Sequence, residues 1–229
     1  EVDLCVHSLK DVPVLENPAL PIGAYPRRAP ACDGMVLPKQ QSFADWNQSL
    51  PVGSASSRRT LQFQMQYPAC TVHPIRGNVL TRLEKLDRGE YGALILAEAG
   101  LQRLGLEHRI TRRFSPAEIV PAAGQGILAV QGRAGEYTDL LQRLNDPQAA
   151  FCAKIERAVS KALNGDCTAP IGAYADLQGE HVTLYGFYAE DGVGIKSTLT
   201  GSVTQAESLA NTFAEQLKQQ VQAKKEAML

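Results

Sequence analysis

The 229-residue chain lacks several things, and each absence narrows what it can do. It has no CxxC pair and only four histidines, so no zinc or other metal site is expected. Its five cysteines (Cys5, Cys32, Cys70, Cys152, Cys167) are odd in number and scattered without paired spacing. Such usage suits free thiols in a reducing compartment, and a cytoplasmic location is expected. No apolar run reaches membrane-spanning length and no secretory leader opens the chain, so no membrane role is expected. Neither sign of charge dominates: 23 Lys and Arg stand against 24 Asp and Glu, a formal net charge of −1. Nucleic acid is therefore not an expected partner, and basic residues must act through local clusters. Fixed-period repeats and low-complexity tracts are absent too. The chain opens at Glu1-Val2-Asp3-Leu4-Cys5-Val6 without an initiator Met, already reading as a buried strand. A chain that begins mid-strand is expected to have further sequence before it.

What is present falls into an α/β part and an α+β part. Six prolines between Pro13 and Pro38 read as irregular connection and edge strand, a domain crossing. From Leu50 to Gly105 short strands alternate with helices. Val52–Ala55 precedes a helix opened by Ser56-Ser57-Arg58-Arg59, with Leu61 and Met65 at helical spacing. Val72–Ile75 precedes a helix with Val79, Leu83 and Leu86 on one face, ending at Arg88-Gly89. Ala93–Ala97 is continuously apolar, as in a strand covered on both faces. That order predicts parallel strands with right-handed crossovers. Asp146-Pro147 then starts a helix carrying Phe151, Ile155, Val159 and Leu163. Three extended runs follow, 171–175, 182–188 and 195–203, the last two joined by an Asp191-Gly192 hairpin turn. Thr204-Gln205-Ala206-Glu207 reads as a capping box, opening a last helix with Leu209, Phe213, Leu217 and Val221. Helix, antiparallel three-stranded meander and helix make a small α+β domain.

Five constellations could carry chemistry. Cys167 follows Asn164-Gly165-Asp166 on a loop, where a thiol is accessible; a lone Cys otherwise reads as a small apolar residue under a loop. Arg58-Arg59, Arg76 with Arg82, and Arg103 fall near helix starts, where free N–H groups already favour anions. One such arginine is an exposed charge; three clusters together favour a bound polyanion. His7-Ser8-Leu9-Lys10-Asp11 offers hydroxyl, ammonium and carboxylate as a strand ends, suited to proton transfer or to a plain surface pair. Pro121-Ala122-Ala123-Gly124-Gln125-Gly126 reads as a hinge or a close backbone approach. Arg157 points toward the thiol loop or into solvent.

Six segments in register resemble the porphobilinogen deaminase (hydroxymethylbilane synthase) family: Val6–Pro13, Arg76-Gly77-Asn78 with Thr81-Arg82-Leu83, Ile95–Leu101, Gly124-Gln125-Gly126, Glu156-Arg157-Ala158, and Gly165–Gly172. The resemblance implies two periplasmic-binding-protein-like α/β domains, the first incomplete, and a small C-terminal α+β domain. Residues 1–26 with 127–144 would be the remnant of the first, 31–120 the second, and 146–229 the third. It implies a monomeric transferase that condenses four porphobilinogen molecules, releasing ammonia, into hydroxymethylbilane. A dipyrromethane cofactor would be thioether-linked to Cys167. Asp11, with Lys10 beside it, would be catalytic. Ser8, Ser54, Ser56, Arg58, Arg59 and Arg82 would hold the cofactor, and Arg76, Arg103, Arg157 and Gln125 the substrate. Asp166 stands where the family usually has Gly, and its charge disfavours a thiolate on Cys167. Two other readings stay open: a non-catalytic anion-binding module of periplasmic-binding type, and an inactive deaminase fragment.

Overall fold

The computed structural model describes the chain except Glu1, Glu16, residues 164–169 and Leu229. The strands are β1 Leu4–Ser8, β2 Ile22–Ala24, β3 Asp33–Val36, β4 Val52–Gly53, β5 Val72–His73, β6 Ala93–Ala97, β7 Ile110–Arg113, β8 Leu128–Gly132, β9 Ile171–Gln178, β10 His181–Glu190 and β11 Val193–Ser202. The α-helices are α1 Ser57–Gln66, α2 Val79–Asp87, α3 Glu98–Arg103, α4 Thr138–Leu144, α5 Pro147–Ala162 and α6 Ala206–Glu226. They build three sheets, ordered β1-β8-β2, β5-β4-β6-β3-β7 and β11-β10-β9.

The five-stranded sheet is mixed. β4 runs parallel to β5 and β6, as the alternation of strand and helix requires, while β3 pairs antiparallel with β6 and β7. The first four residues of β6 are buried, consistent with its unbroken apolar run. Asn78 caps α2 by accepting from Thr81 N, and Leu83 and Leu86 face inward.

Helix α1 forms where expected but buries a different face. Met65 is 46% exposed and Leu61 only partly covered, while Arg58, Arg59, Gln62 and Phe63 are buried. An i, i+4 apolar pair sets too narrow a stripe to decide orientation when arginines next to it find a buried counter-charge.

Strand β1 corrects another expectation. It is a strand, paired antiparallel with β8, but Cys5, Val6 and His7 are exposed, Val6 by 63%. It lies at the margin of its sheet, so its apolar residues do not mark a core.

The C-terminal unit follows its sequence closely. Asp146 caps α5 by accepting from Ala149 N, with Pro147 at the first helical position. Asp191 (φ 51°) and Gly192 (φ 79°) both take left-handed backbone and turn β10 back as β11. Helices α5 and α6 cover one face of this meander, where Ile155, Val159, Leu184, Phe213 and Leu217 share a core. The capping box does not form. A 3-10 turn over Val203–Gln205 precedes α6, the Ser202 hydroxyl accepts from Thr204 N, and Glu207 pairs instead with Lys154.

Two chain passages link the first sheet to the second. Residues 25–32 run from β2 to β3, and residues 114–127 return from β7 to β8. They touch at Gly126, whose carbonyl accepts from Ala29 N at 3.1 Å. Gly126 has φ 87°, and a methyl there would sit 2.4 Å from the Ala29 carbonyl oxygen. The Gly-rich run is thus a close backbone approach. Nearby, fully buried Glu156 on α5 accepts from Gly124 N (2.8 Å), Ala175 N (2.9 Å) and the Arg28 guanidinium (2.6 and 3.1 Å). Arg28 also lies over the Tyr174 ring, 4.9 Å from its centroid. One carboxylate ties the crossing segment, the return segment and the C-terminal sheet.

Candidate functional site

A cavity of about 860 Å³ opens where these segments meet. Lys10 and Asp11 enter from the 3-10 turn after β1, Ser56, Arg58 and Arg59 from the start of α1, Arg82 from α2, and Arg157 from α5. Gln125 of the return segment completes the wall. Five cationic side chains and one carboxylate therefore share one volume, although the whole chain is nearly neutral.

Arg58 and Arg59 are almost fully buried, which a lone guanidinium would not tolerate. Asp33, at the head of β3 and wholly buried, supplies the counter-charge. Its Oδ2 lies 2.9 Å from Arg58 Nη1; its Oδ1 accepts from Arg59 Nε at 2.9 Å and lies 2.8 Å from Arg59 Nη2. Burial raises the Asp33 pKa, but the two guanidiniums outweigh it and hold the carboxyl down at about 2. Gln125 Nε2 donates to Asp33 Oδ1 (2.8 Å) and to the Ala31 carbonyl (2.6 Å), and its Oε1 accepts from Arg59 (3.2 Å). Gln62, fully buried, donates to the Val120 carbonyl and accepts from Val120 N, while Arg58 donates to the same carbonyl at 2.5 Å.

Lys10 has the opposite balance. Burial, then the nearby Arg59 charge, lowers its ammonium to about 8, with Asp11 and Asp33 opposing. The Arg82 pKa is lowered too, by burial and by Arg59. Such cationic crowding is relieved by a multiply charged anion, and the volume has room for one.

The other expected residues fall as follows. Arg157 is buried rather than pointing into open solvent, and the thiol loop lies outside the described residues. Arg157 donates to the carbonyls of Val12 (3.2 Å), Pro13 (2.8 Å) and Val14 (3.2 Å), shaping the segment that carries Asp11. Ser56 caps α1, accepting from Arg59 N. Ser54 is buried and orders the same turn through the Ser56 backbone. Arg76 and Arg103 are exposed and, like Ser8, do not line the cavity; Arg103 donates to the Gly126 carbonyl at 3.0 Å. Cys167 lies outside the described residues, although Ile171 and Ser160 flank its segment at the cavity wall. Among the described residues no group of three His, Cys, Asp or Glu could hold a metal ion, and no helix is long and apolar enough to cross a membrane.

Asp33, Gln62 and Arg28 carry no local pattern that could have marked them. The one usable signal was indirect, since adjacent arginines on a helix that buries Phe63 need a counter-charge from elsewhere.

Comparison with known proteins agrees with this site. The family model described as porphobilinogen deaminase, dipyromethane cofactor binding domain, matches residues 1–140, and the porphobilinogen deaminase C-terminal domain matches residues 150–219. A porphobilinogen deaminase of Acetivibrio thermocellus is 50% identical over 215 residues, 93% of this chain and 73% of the relative. One from Alkaliphilus oremlandii is 45% identical over 218 residues, 95% of this chain and 73% of the relative. One from Chromobacterium violaceum is 41% identical over 219 residues, 94% and 71% respectively. These matches displace the non-catalytic binding module, and the chain belongs to the porphobilinogen deaminase family, transferases that condense porphobilinogen into hydroxymethylbilane on a dipyrromethane cofactor.

Proposed function

We propose that this chain carries dipyrromethane on Cys167 and elongates it in the cavity between Asp11 and the arginine wall. The observation that carries the reading is the gathering of Lys10, Arg58, Arg59, Arg82 and Arg157 around one carboxylate in a volume of about 860 Å³. Each pyrrole bears an acetate and a propionate, so the cofactor and the growing chain are polyanions that this donor set suits. When bound, dipyrromethane would supply the free pyrrole carbon that the first porphobilinogen joins.

Asp11 gives a proton to the departing amine of porphobilinogen, and its carboxylate then faces the cation left on the substrate pyrrole. Its place beside Lys10, at the mouth of the wall, supports both roles. Lys10, Arg58, Arg59 and Arg82 neutralise acetate and propionate groups, with Ser54 and Ser56 ordering the turn into α1 and Ser8 offering its hydroxyl to the cofactor. Arg157 and Gln125 frame the substrate end, and exposed Arg76 and Arg103 take carboxylates of the longer intermediates. Residues 1–26 with 127–144 and residues 31–120 act as two periplasmic-binding-like units, and 146–229 carries the cofactor loop. The protein works as a cytoplasmic monomer, without nucleic acid or membrane.

Intact-mass measurement tests the anchor. A dipyrromethane adduct is expected on the wild type and not on Cys167→Ser; an adduct surviving that change removes Cys167 from the role. Asp11→Asn is expected to lower kcat by about 10²–10⁴-fold with little change in KM. Turnover near wild type would strike Asp11 from the mechanism.

A further inference from the structure

We infer that Asp33 is the positioning residue of the arginine wall, holding Arg58 and Arg59 in register so that each keeps part of its fork for a carboxylate of the pyrrole chain. The inference rests on the reading that these arginines neutralise the acetate and propionate groups of the pyrrole chain.

Both guanidiniums come from consecutive residues of one helix, so their side chains leave α1 in divergent directions. Asp33 gathers them with two oxygens, one for each: Oδ2 stands 2.9 Å from Arg58 Nη1, and Oδ1 takes Nε and Nη2 of Arg59. The bonding uses up one edge of Arg59. Its Nε and Nη2 are spent on Asp33 and Gln125, whereas Nη1 has no protein partner among the described residues. Arg58 donates through Nη1 to the Val120 carbonyl, with the same Nη1 in ion-pair contact with Asp33 Oδ2, and its Nη2 has no protein partner among the described residues. Both side chains line the cavity. An arginine has five donors in a rigid plane, so fixing one edge fixes the direction of the others.

Asp33 itself has little room to move. It is fully buried, begins β3 opposite Ala97 of β6, and receives the Gln125 amide on Oδ1. Gln125 is tied in turn to the Ala31 carbonyl. The carboxylate therefore sets the direction of the arginines without touching substrate. An Asn in its place would offer one acceptor and one donor, turning N–H groups toward one of the two guanidiniums.

The test is a double-mutant cycle on the cofactor-loaded enzyme, with steady-state kinetics on porphobilinogen and thermal melting for wild type, D33N, R59Q and D33N/R59Q. R59Q is expected to raise KM about tenfold, the effect of one charge-assisted hydrogen bond. D33N should raise KM by a similar factor and change kcat about twofold or less. The double variant should be no worse than the worse single by more than about twofold, because both changes remove the same contact. A folded D33N with unchanged KM overturns the inference, as does an additive cycle in which the double loses about a hundredfold. An unchanged KM in R59Q instead removes the carboxylate-binding reading on which it stands. If D33N does not fold, D33E, which keeps the charge but moves the carboxylate by one methylene, takes its place under the same criterion.

Discussion

The C-terminal unit and the helix α1 region bury their side chains by opposite means. In the first, Ile155, Val159, Phe213 and Leu217 repeat at helical spacing and close on the β9–β11 meander, so the buried face is the apolar face. In the second, α1 turns Arg58, Arg59 and Gln62 inward beside Phe63 and leaves Met65 outside. Apolar burial is non-directional and can be satisfied by any well-shaped neighbour. Burial of guanidinium is directional and needs a particular carboxylate at a particular place. The first kind of core makes a scaffold; the second fixes the aim of charged groups beside a cavity.

The contrast can be broken at several points. Phe213→Ala should have the largest effect, about 3–5 kcal/mol of stability by denaturant unfolding, because Phe213 is wholly enclosed. A loss under about 1 kcal/mol would mean that the C-terminal core is not what holds the meander to its helices.

Acid should act on the other region. Asp33 has its pKa held down at about 2 from 3.8, so its stabilisation, roughly 2 kcal/mol, is present above pH 3.8 and lost as pH falls through about 2. Unfolding followed from pH 5 to pH 2 should show this slope in the wild type and a shallower one in Asp33→Asn. Equal slopes would contradict the paired-charge account of α1.

Lys10 gives a dependence of the same sign, with stability rising with pH, but in the alkaline range. Its pKa is lowered to about 8, so the folded chain sheds that proton before the unfolded one does. The cost of the buried charge is fully present below pH 8 and is relieved as pH rises from 8 to 10.5. An anionic ligand raises the Lys10 pKa again, so substrate affinity should fall above pH 8 by at most about tenfold per pH unit. KM against pH in the wild type and in Lys10→Met checks this; a matching slope in the variant would assign the titration to another group. Smallest of all, Met65→Ala should change stability by about 0.5 kcal/mol or less, since the side chain is 46% exposed.

Legibility in the sequence follows the same division. Asp146-Pro147, the α5 and α6 stripes and the Asp191-Gly192 turn are local signals, and each forms as read. The parallel arrangement of β4, β5 and β6 was readable from strand and helix alternation. Antiparallel β3 and β7 were not, because pairing between Gly34 and Arg113 spans the whole unit and leaves no local trace. In the site, Lys10-Asp11 and Arg58-Arg59 could be suspected as charged groups at element ends. Asp33 could not, since its meaning comes entirely from residues 25 and 26 positions away. The unformed capping box teaches a related lesson: Ser202, two residues upstream, took the competing bond, and Glu207 found Lys154.

The contact between Ala29 and Gly126 has one more consequence. Two cables joined side by side can bend together across their common width, but swivelling one against the other would shear the 3.1 Å tie between them. The first and second sheets are therefore joined by a doubled seam rather than by two independent strings, and neither passage can slip along the other while that bond holds.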